Sequence, residues 1–131
     1  MNAMNKHLVF VYGTLREGGV RAMPQLFPAA KLIGQATVCG RIYDLGDYPC
    51  LAPDQAGPAV TGEVYEIDDE ILGELDEIEA SADYGRQQVP VSLSDVSLSC
   101  WIYAPEAQSF PEERLIASGD WITYALMKTD G

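Results

Sequence analysis

The sequence predicts an α+β fold in one compact domain built on a mixed, strongly curved sheet. Three observations lead there. A chain of 131 residues fits one domain rather than two. Its 47% hydrophobic content suits a packed core rather than a disordered chain. Five or six strand-like segments alternate irregularly with two or three helical ones, without repeats, low-complexity stretches or a linker, and that order is typical of α+β folds.

Residues 1–5 are polar and read as a loose tail. His7-Leu8-Val9-Phe10-Val11-Tyr12 is a continuous apolar run ending at Gly13, the pattern of a buried strand. Thr14 to Pro28 carries Gly18, Gly19, Pro24 and Pro28, which predicts a loop with a helical turn around 21–26. Residues 35–45 are β-branched and aromatic and predict a strand, followed by turn signals at 46–49 and 53–58. Residues 59–67 predict another strand, with Gly62 at a bulge or a close approach. Asp68 is placed to cap a helix running to about Ile78–Ala80, with Asp69 and Glu70 in its first turn. Residues 86–93 and 96–104 predict a hairpin turning at Ser94-Asp95. Ser109-Phe110-Pro111-Glu112-Glu113 has the form of a helix start, ending near Gly119. Residues 120–128 are apolar and fit either a strand or a helix.

Composition narrows the function. Eight basic against 20 acidic residues give a net charge of −12. Nucleic acid and anionic membranes carry the same sign and are poor partners for such a surface. The apolar run at 8–11 is too short for a secretory signal or a membrane span, so a soluble cytoplasmic protein is expected. Cys39, Cys50 and Cys100 lack CxxC spacing and stand beside apolar neighbours, which predicts buried structural thiols in a reducing compartment. His7 is the single histidine. Zinc ligation would need several ligands at workable spacing, and a nucleophile–histidine pair would depend on this one residue. It reads instead as an exposed edge residue. No metal or cofactor is expected.

Two segments carry candidate chemistry. The first is the glycine turn Tyr12-Gly13-Thr14-Leu15-Arg16 at the end of the first strand. Glycine permits a sharp turn and a close approach of backbone N–H groups to a ligand, and successive N–H groups form an anion-binding concavity. Gly13 and Gly18 have phosphate-loop spacing, but Gly19-Val20 stand where a lysine and a hydroxyl would be needed, which excludes a nucleotide loop. Taken alone, such a turn is most often ordinary. Arg16 is either a greeter of anionic substrate or a surface residue.

The second segment is the acidic helix. At about 100° per residue, Ile71, Leu72, Leu75 and Ile78 share a face. Glu79, four residues after Leu75, falls inside that stripe, Asp76 lies on its border, and Glu74 and Glu77 point to solvent. An inward Glu79 would be desolvated, which raises a carboxyl pKa and suits it to taking and returning a proton. At a helix C-terminus it can equally fray into water. Elsewhere Trp101 and Trp121 read as core, Gly119-Asp120 as a helix exit whose carboxylate satisfies local N–H groups, and Arg86 as a partner for an acid.

The segments at 10–18 (FVYGTLREG), 40–51, 60–68, 75–79 (LDEIE), 84–91 and 118–121 together resemble the γ-glutamylcyclotransferase-like family, in particular γ-glutamylamine cyclotransferase and AIG2-like proteins. The resemblance implies a small mixed β-barrel flanked by helices. It implies a metal-independent acyltransferase or lyase reaction, in which the α-amine of a γ-glutamyl group attacks its own γ-carbonyl, forms 5-oxoproline and expels an amine. Glu79 matches the family's acid–base glutamate. Tyr12, Gly13, Thr14 and Leu15 match the substrate-holding loop, and Tyr84 a pocket tyrosine. Where the family pattern continues with Gly, Ala80 follows Glu79, and Ser81-Ala82-Asp83 precede Tyr84. The alternative expectation is a non-catalytic module on the same fold that binds a small amino-acid-like ligand or a protein.

Overall fold

The computed structural model describes residues 6–13, 15–16, 22–46, 49–80, 84–104 and 110–130. In chain order the elements are β1 (Lys6–Val11), α1 (Met23–Leu26), β2 (Lys31–Asp44), β3 (Pro49–Pro53), β4 (Ala59–Asp68), α2 (Asp69–Ala80), β5 (Gly85–Leu93), β6 (Val96–Ala104), a 3-10 turn (Glu112–Arg114) and α3 (Trp121–Asp130).

The strands form one sheet in the order β3-β2-β4-β1-β6-β5, and an additional β2–β5 pairing at Thr37 and Ser92 closes β2-β4-β1-β6-β5 into a barrel. Every pairing is antiparallel except β1–β6. Strand side chains alternate between the two faces of a sheet, and here each face has its own core. Phe10, Val38, Val64, Val91 and Ile102, one from each barrel strand, meet inside the barrel. Val9, Val11, Tyr65 and Tyr103 point the other way and pack against Met23 of α1 and Ile71, Leu72 and Leu75 of α2. β1 is buried on both faces, which is why its sequence is apolar without alternation. Gly62 makes the anticipated close approach: a Cβ there would meet the Val11 carbonyl oxygen and lie 2.6 Å from Phe10 Cζ.

Asp68 caps α2 as expected, its Oδ1 accepting from the Ile71 N–H at 2.9 Å. The β5–β6 hairpin turns at Ser94, whose φ of 56° is the left-handed value that a tight hairpin turn requires. Of residues 120–128, all but Asp120 form helix, in α3.

Several expectations are overturned. β3 was not anticipated: five residues bounded by proline carry little strand signal, but β2 is 14 residues long and its distal half pairs with them from Gly40 to Asp44. The helix expected at 109–119 is only the turn at 112–114. Tyr43 bridges Leu115 and the Ile116 N–H bonds the Ile42 carbonyl, so pairing with β2 draws the chain out of a helical path. His7 is no edge residue, since β1 runs between β4 and β6. Its imidazole is 22% exposed and contacts Asp69. Cys50 and Cys100 are buried, but Cys39 is exposed, because alternation along β2 turns Val38 inward and its neighbour outward. Asp120 enters a helix rather than leaving one, its Oδ1 accepting from the Thr123 N–H in the first turn of α3. Trp121 is core, whereas Trp101 is half-buried beneath Arg86. Among the described residues no helix is long and apolar enough to cross a membrane.

Candidate active site

The four acids of α2 take the orientations that helical phase predicts. Glu74 and Glu77 are exposed, Asp76 is half-buried at the border, and Glu79 is 6% exposed on the stripe of Ile71, Leu72 and Leu75. A carboxyl group is seldom buried this deeply unless it is paired or hydrogen-bonded.

Three tyrosines surround the end of that stripe. The Tyr84 N–H donates to the Glu79 carbonyl at 3.1 Å, which brings the chain back past the helix end. Burial pushes the Tyr12 phenol well above its usual pKa, and Tyr84, Cys50 and Glu79 add in the same direction while the Leu51 N–H opposes. Tyr103 is raised by burial first, then by Asp76, with Glu79 a further contributor and Arg86 opposing. The Glu79 carboxylate therefore lies within electrostatic reach of both phenols.

The hydroxyls of these tyrosines are engaged in the frame. Tyr12 Oη donates to the Tyr103 carbonyl at 2.6 Å and accepts from the Leu51 N–H at 3.2 Å, tying β6 to the outer edge of β3. Tyr84 Oη donates to the Pro49 carbonyl at 2.8 Å. Tyr103 Oη donates to Asp76 Oδ1 at 2.7 Å, and the same carboxylate receives Arg86 Nε at 3.3 Å. Arg86 thus finds the acid that the sequence suggested, while its guanidinium lies 4.3 Å from the centroid of Trp101. All three phenols are thus committed to the frame, and burial raises those of Tyr12 and Tyr103.

The glycine turn meets the same place. A Cβ on Gly13 would fall 2.6 Å from Pro49 Cγ, so glycine is required there by the proline ring packed on it. Pro49 is also the acceptor of Tyr84 Oη, which joins the turn, β3 and Tyr84 at one residue. Leu15 is buried in the cluster that holds Leu75 and Tyr84. The structure thus gathers Tyr12, Gly13, Leu15, Glu79 and Tyr84. Thr14 and the Ser81–Asp83 segment lie outside the described residues.

Arg16 is not the surface residue that one sequence reading expected, and two of its donors already bond protein carboxylates. Its side chain is 7% exposed, its Nε donates to Glu63 Oε2 and its Nη1 to Asp120 Oδ1, both at 2.8 Å. Sequence reasoning also missed Tyr103. Alternation along β6 puts it on the face of Trp101, and that shared face was the available signal. A cavity of about 350 Å³ lies between β2, β5 and residues 53–55, but none of the candidate site residues lines it. Among the described residues no three His, Cys, Asp or Glu side chains group to hold a metal ion.

Comparison with known proteins adds an independent line. The family model described as "Gamma-glutamyl cyclotransferase, AIG2-like" matches residues 9–123. The γ-glutamylcyclotransferase family protein YtfP of Escherichia coli K12 is 34% identical over 118 residues, covering 87% of this chain and 95% of that protein. The γ-glutamylaminecyclotransferase of Bos taurus is 34% identical over 119 residues, covering 80% of this chain and 68% of that one. Among solved structures, YkqA from Bacillus subtilis superposes with a TM-score of 0.79 at 26% identity over 97% of this chain, which spans 44% of the longer protein.

Proposed function

The chain belongs to the AIG2-like γ-glutamyl cyclotransferase family, and we propose that it converts a γ-glutamyl amine or peptide into 5-oxoproline and a free amine, with Glu79 as the general acid–base. The observation that carries this reading is the deep burial of Glu79 among tyrosines whose hydroxyls are already engaged.

In this mechanism Glu79 takes a proton from the substrate's α-nitrogen as that nitrogen bonds to the γ-carbonyl carbon. The carbonyl oxygen gains charge, and backbone N–H groups of the turn at Tyr12, Gly13, Thr14 and Leu15 stabilise it or hold the α-carboxylate. The bond from the γ-carbon to the leaving nitrogen then breaks, and Glu79 returns its proton to that nitrogen. Nucleophile and electrophile belong to one molecule and close a five-membered ring, so much of the acceleration comes from holding the glutamyl group folded. Tyr84, which follows the helix end and is anchored to Pro49, serves in this reading as a tyrosine of the substrate site. The sequence relatives support γ-glutamyl chemistry at family level, and the name of the bovine relative favours an amine as the leaving group.

The test is a panel of γ-glutamyl amines and γ-glutamyl dipeptides incubated with the purified protein, with 5-oxoproline and the released amine both quantified. The two products are expected in equal amounts from at least one substrate. Binding without any turnover across the panel would overturn the enzymatic reading and leave a binding module.

A further inference from the structure

We propose that Arg16 is a positioning residue: with Glu63 and Asp120 it forms a buried charged clamp that sets the backbone of Gly13, Leu15 and Arg16, and so governs how tightly the glutamyl end of the substrate is held. This deepens the reading above and rests on it.

The clamp joins three parts of the fold. Arg16 ends the turn and its N–H closes it by donating to the Gly13 carbonyl at 3.0 Å. Glu63 lies on β4, where it pairs with Val11, the last residue of β1. Asp120 caps α3, and the residue before it, Gly119, gives its carbonyl to the Thr61 N–H of β4 at 2.8 Å. The guanidinium therefore ties the turn to β4, the neighbour of the strand the turn leaves, and to the start of α3, which Thr61 of β4 anchors. On the other side, the Leu15 carbonyl accepts from the Met23 N–H at 2.9 Å, and Tyr12 is fixed through its hydroxyl. The turn backbone is held from both ends.

Charge and burial argue that this arrangement does more than stabilise. Side chains of Arg16 and Glu63 are 7% and 9% exposed. Desolvation offsets much of the attraction in such a pair, and apolar replacements are often as stable, so the role assigned to this pair is the geometry it imposes on the turn. Arginine fits the role because its rigid fork addresses two acceptors at once, which a lysine ammonium does not reproduce. Two of its donors are engaged by protein carboxylates. Arg16 acts on substrate through the turn.

The experiment uses Arg16→Lys, Glu63→Gln and Asp120→Asn in the full chain, the last because asparagine preserves the helix cap. Two readouts are taken from each folded variant. In steady-state 5-oxoproline release, Arg16→Lys and Glu63→Gln are expected to raise KM at least tenfold with kcat within threefold, because the clamp acts through the turn's hold on the substrate's α-carboxylate while Glu79 is untouched. Asp120→Asn, at the more exposed arm of the clamp, should give a smaller rise of the same kind. In amide hydrogen exchange, protection at Arg16 and Met23, whose N–H groups bond the Gly13 and Leu15 carbonyls, should fall while β4 and β6 keep theirs. A kcat loss at constant KM, or unchanged KM in folded variants, overturns the proposal. If the wild-type protein turns over no γ-glutamyl compound, the functional reading fails by itself, and exchange still decides the clamp: unchanged protection at the turn refutes it. Should Arg16→Lys fail to fold, Glu63→Gln and Asp120→Asn carry both readouts.

Discussion

Replacing Tyr12 by phenylalanine removes one hydroxyl and leaves two buried backbone groups short of a partner. Leu51 loses the acceptor of its N–H, and the Tyr103 carbonyl loses a donor 2.6 Å away. An orphaned buried group costs about 1–3 kcal/mol, and a carbonyl with a second lone pair suffers less than an N–H. The sum is about 2–4 kcal/mol, a large share of the roughly 5–15 kcal/mol that holds a domain of this size. With a urea slope of about 2 kcal/mol/M, the unfolding midpoint should fall by roughly 1–2 M. Tyr84→Phe is the internal comparison. It takes a single donor from the Pro49 carbonyl and should cost about 1 kcal/mol. Equilibrium urea unfolding followed by fluorescence measures both. If Tyr12→Phe costs under about 0.5 kcal/mol, or no more than Tyr84→Phe, the Tyr12 hydroxyl does not link β3 to β6 as argued.

Two further outcomes follow from the fold. Burial pushes the Cys50 thiol up to about 12, with the Tyr43 backbone N–H partly opposing, and Cys100 up to about 11, while Cys39 is exposed. At pH 8 a disulfide reagent should therefore modify one thiol of the native protein quickly and all three after denaturation. Rapid native labelling of Cys50 or Cys100 would contradict the burial assigned to them. Gly62→Ala would drive a methyl group into the Val11 carbonyl and the Phe10 ring. It should destabilise by about 1–3 kcal/mol in the same urea assay, and a loss under about 0.5 kcal/mol would show that β1 and β4 are not in the close contact described.

The parts of the site legible in the sequence are those set by one period within one element. Helical phase put Glu79 on the inward stripe and Glu77 outside it but left Glu79 free to fray at the helix end; the structure buries Glu79 and exposes Glu77. The apolar run of β1, the cap at Asp68 and the hairpin at Ser94 were equally readable, since each is specified by neighbours in sequence. The same alternation that turns Val38 into the core would have placed Cys39 outside, had it been applied to the cysteines in place of their neighbours' polarity. What escaped depends on partners distant in the chain. Arg16 is buried because Glu63 and Asp120, 47 and 104 residues away, come to meet it. Tyr103 and Asp76 are 27 residues apart. β3 exists because β2 runs on past the barrel seam, and residues 109–119 leave helical geometry because β2 offers Tyr43 and Ile42 as partners. The pairing of the glycine turn with LDEIE was visible as a family resemblance, and the physical reason they meet, Pro49 packed on Gly13 and bonded to Tyr84, was not.

The central claim is that the buried Glu79 carboxylate moves the proton. Its most direct test is 5-oxoproline release by wild type and Glu79→Gln with the best substrate of the γ-glutamyl panel. Glutamine preserves the shape but cannot accept the proton, so kcat should fall by about 10²–10⁴-fold, the range of general acid–base catalysis, while KM stays within a few-fold. Equal turnover by the two proteins would contradict the account.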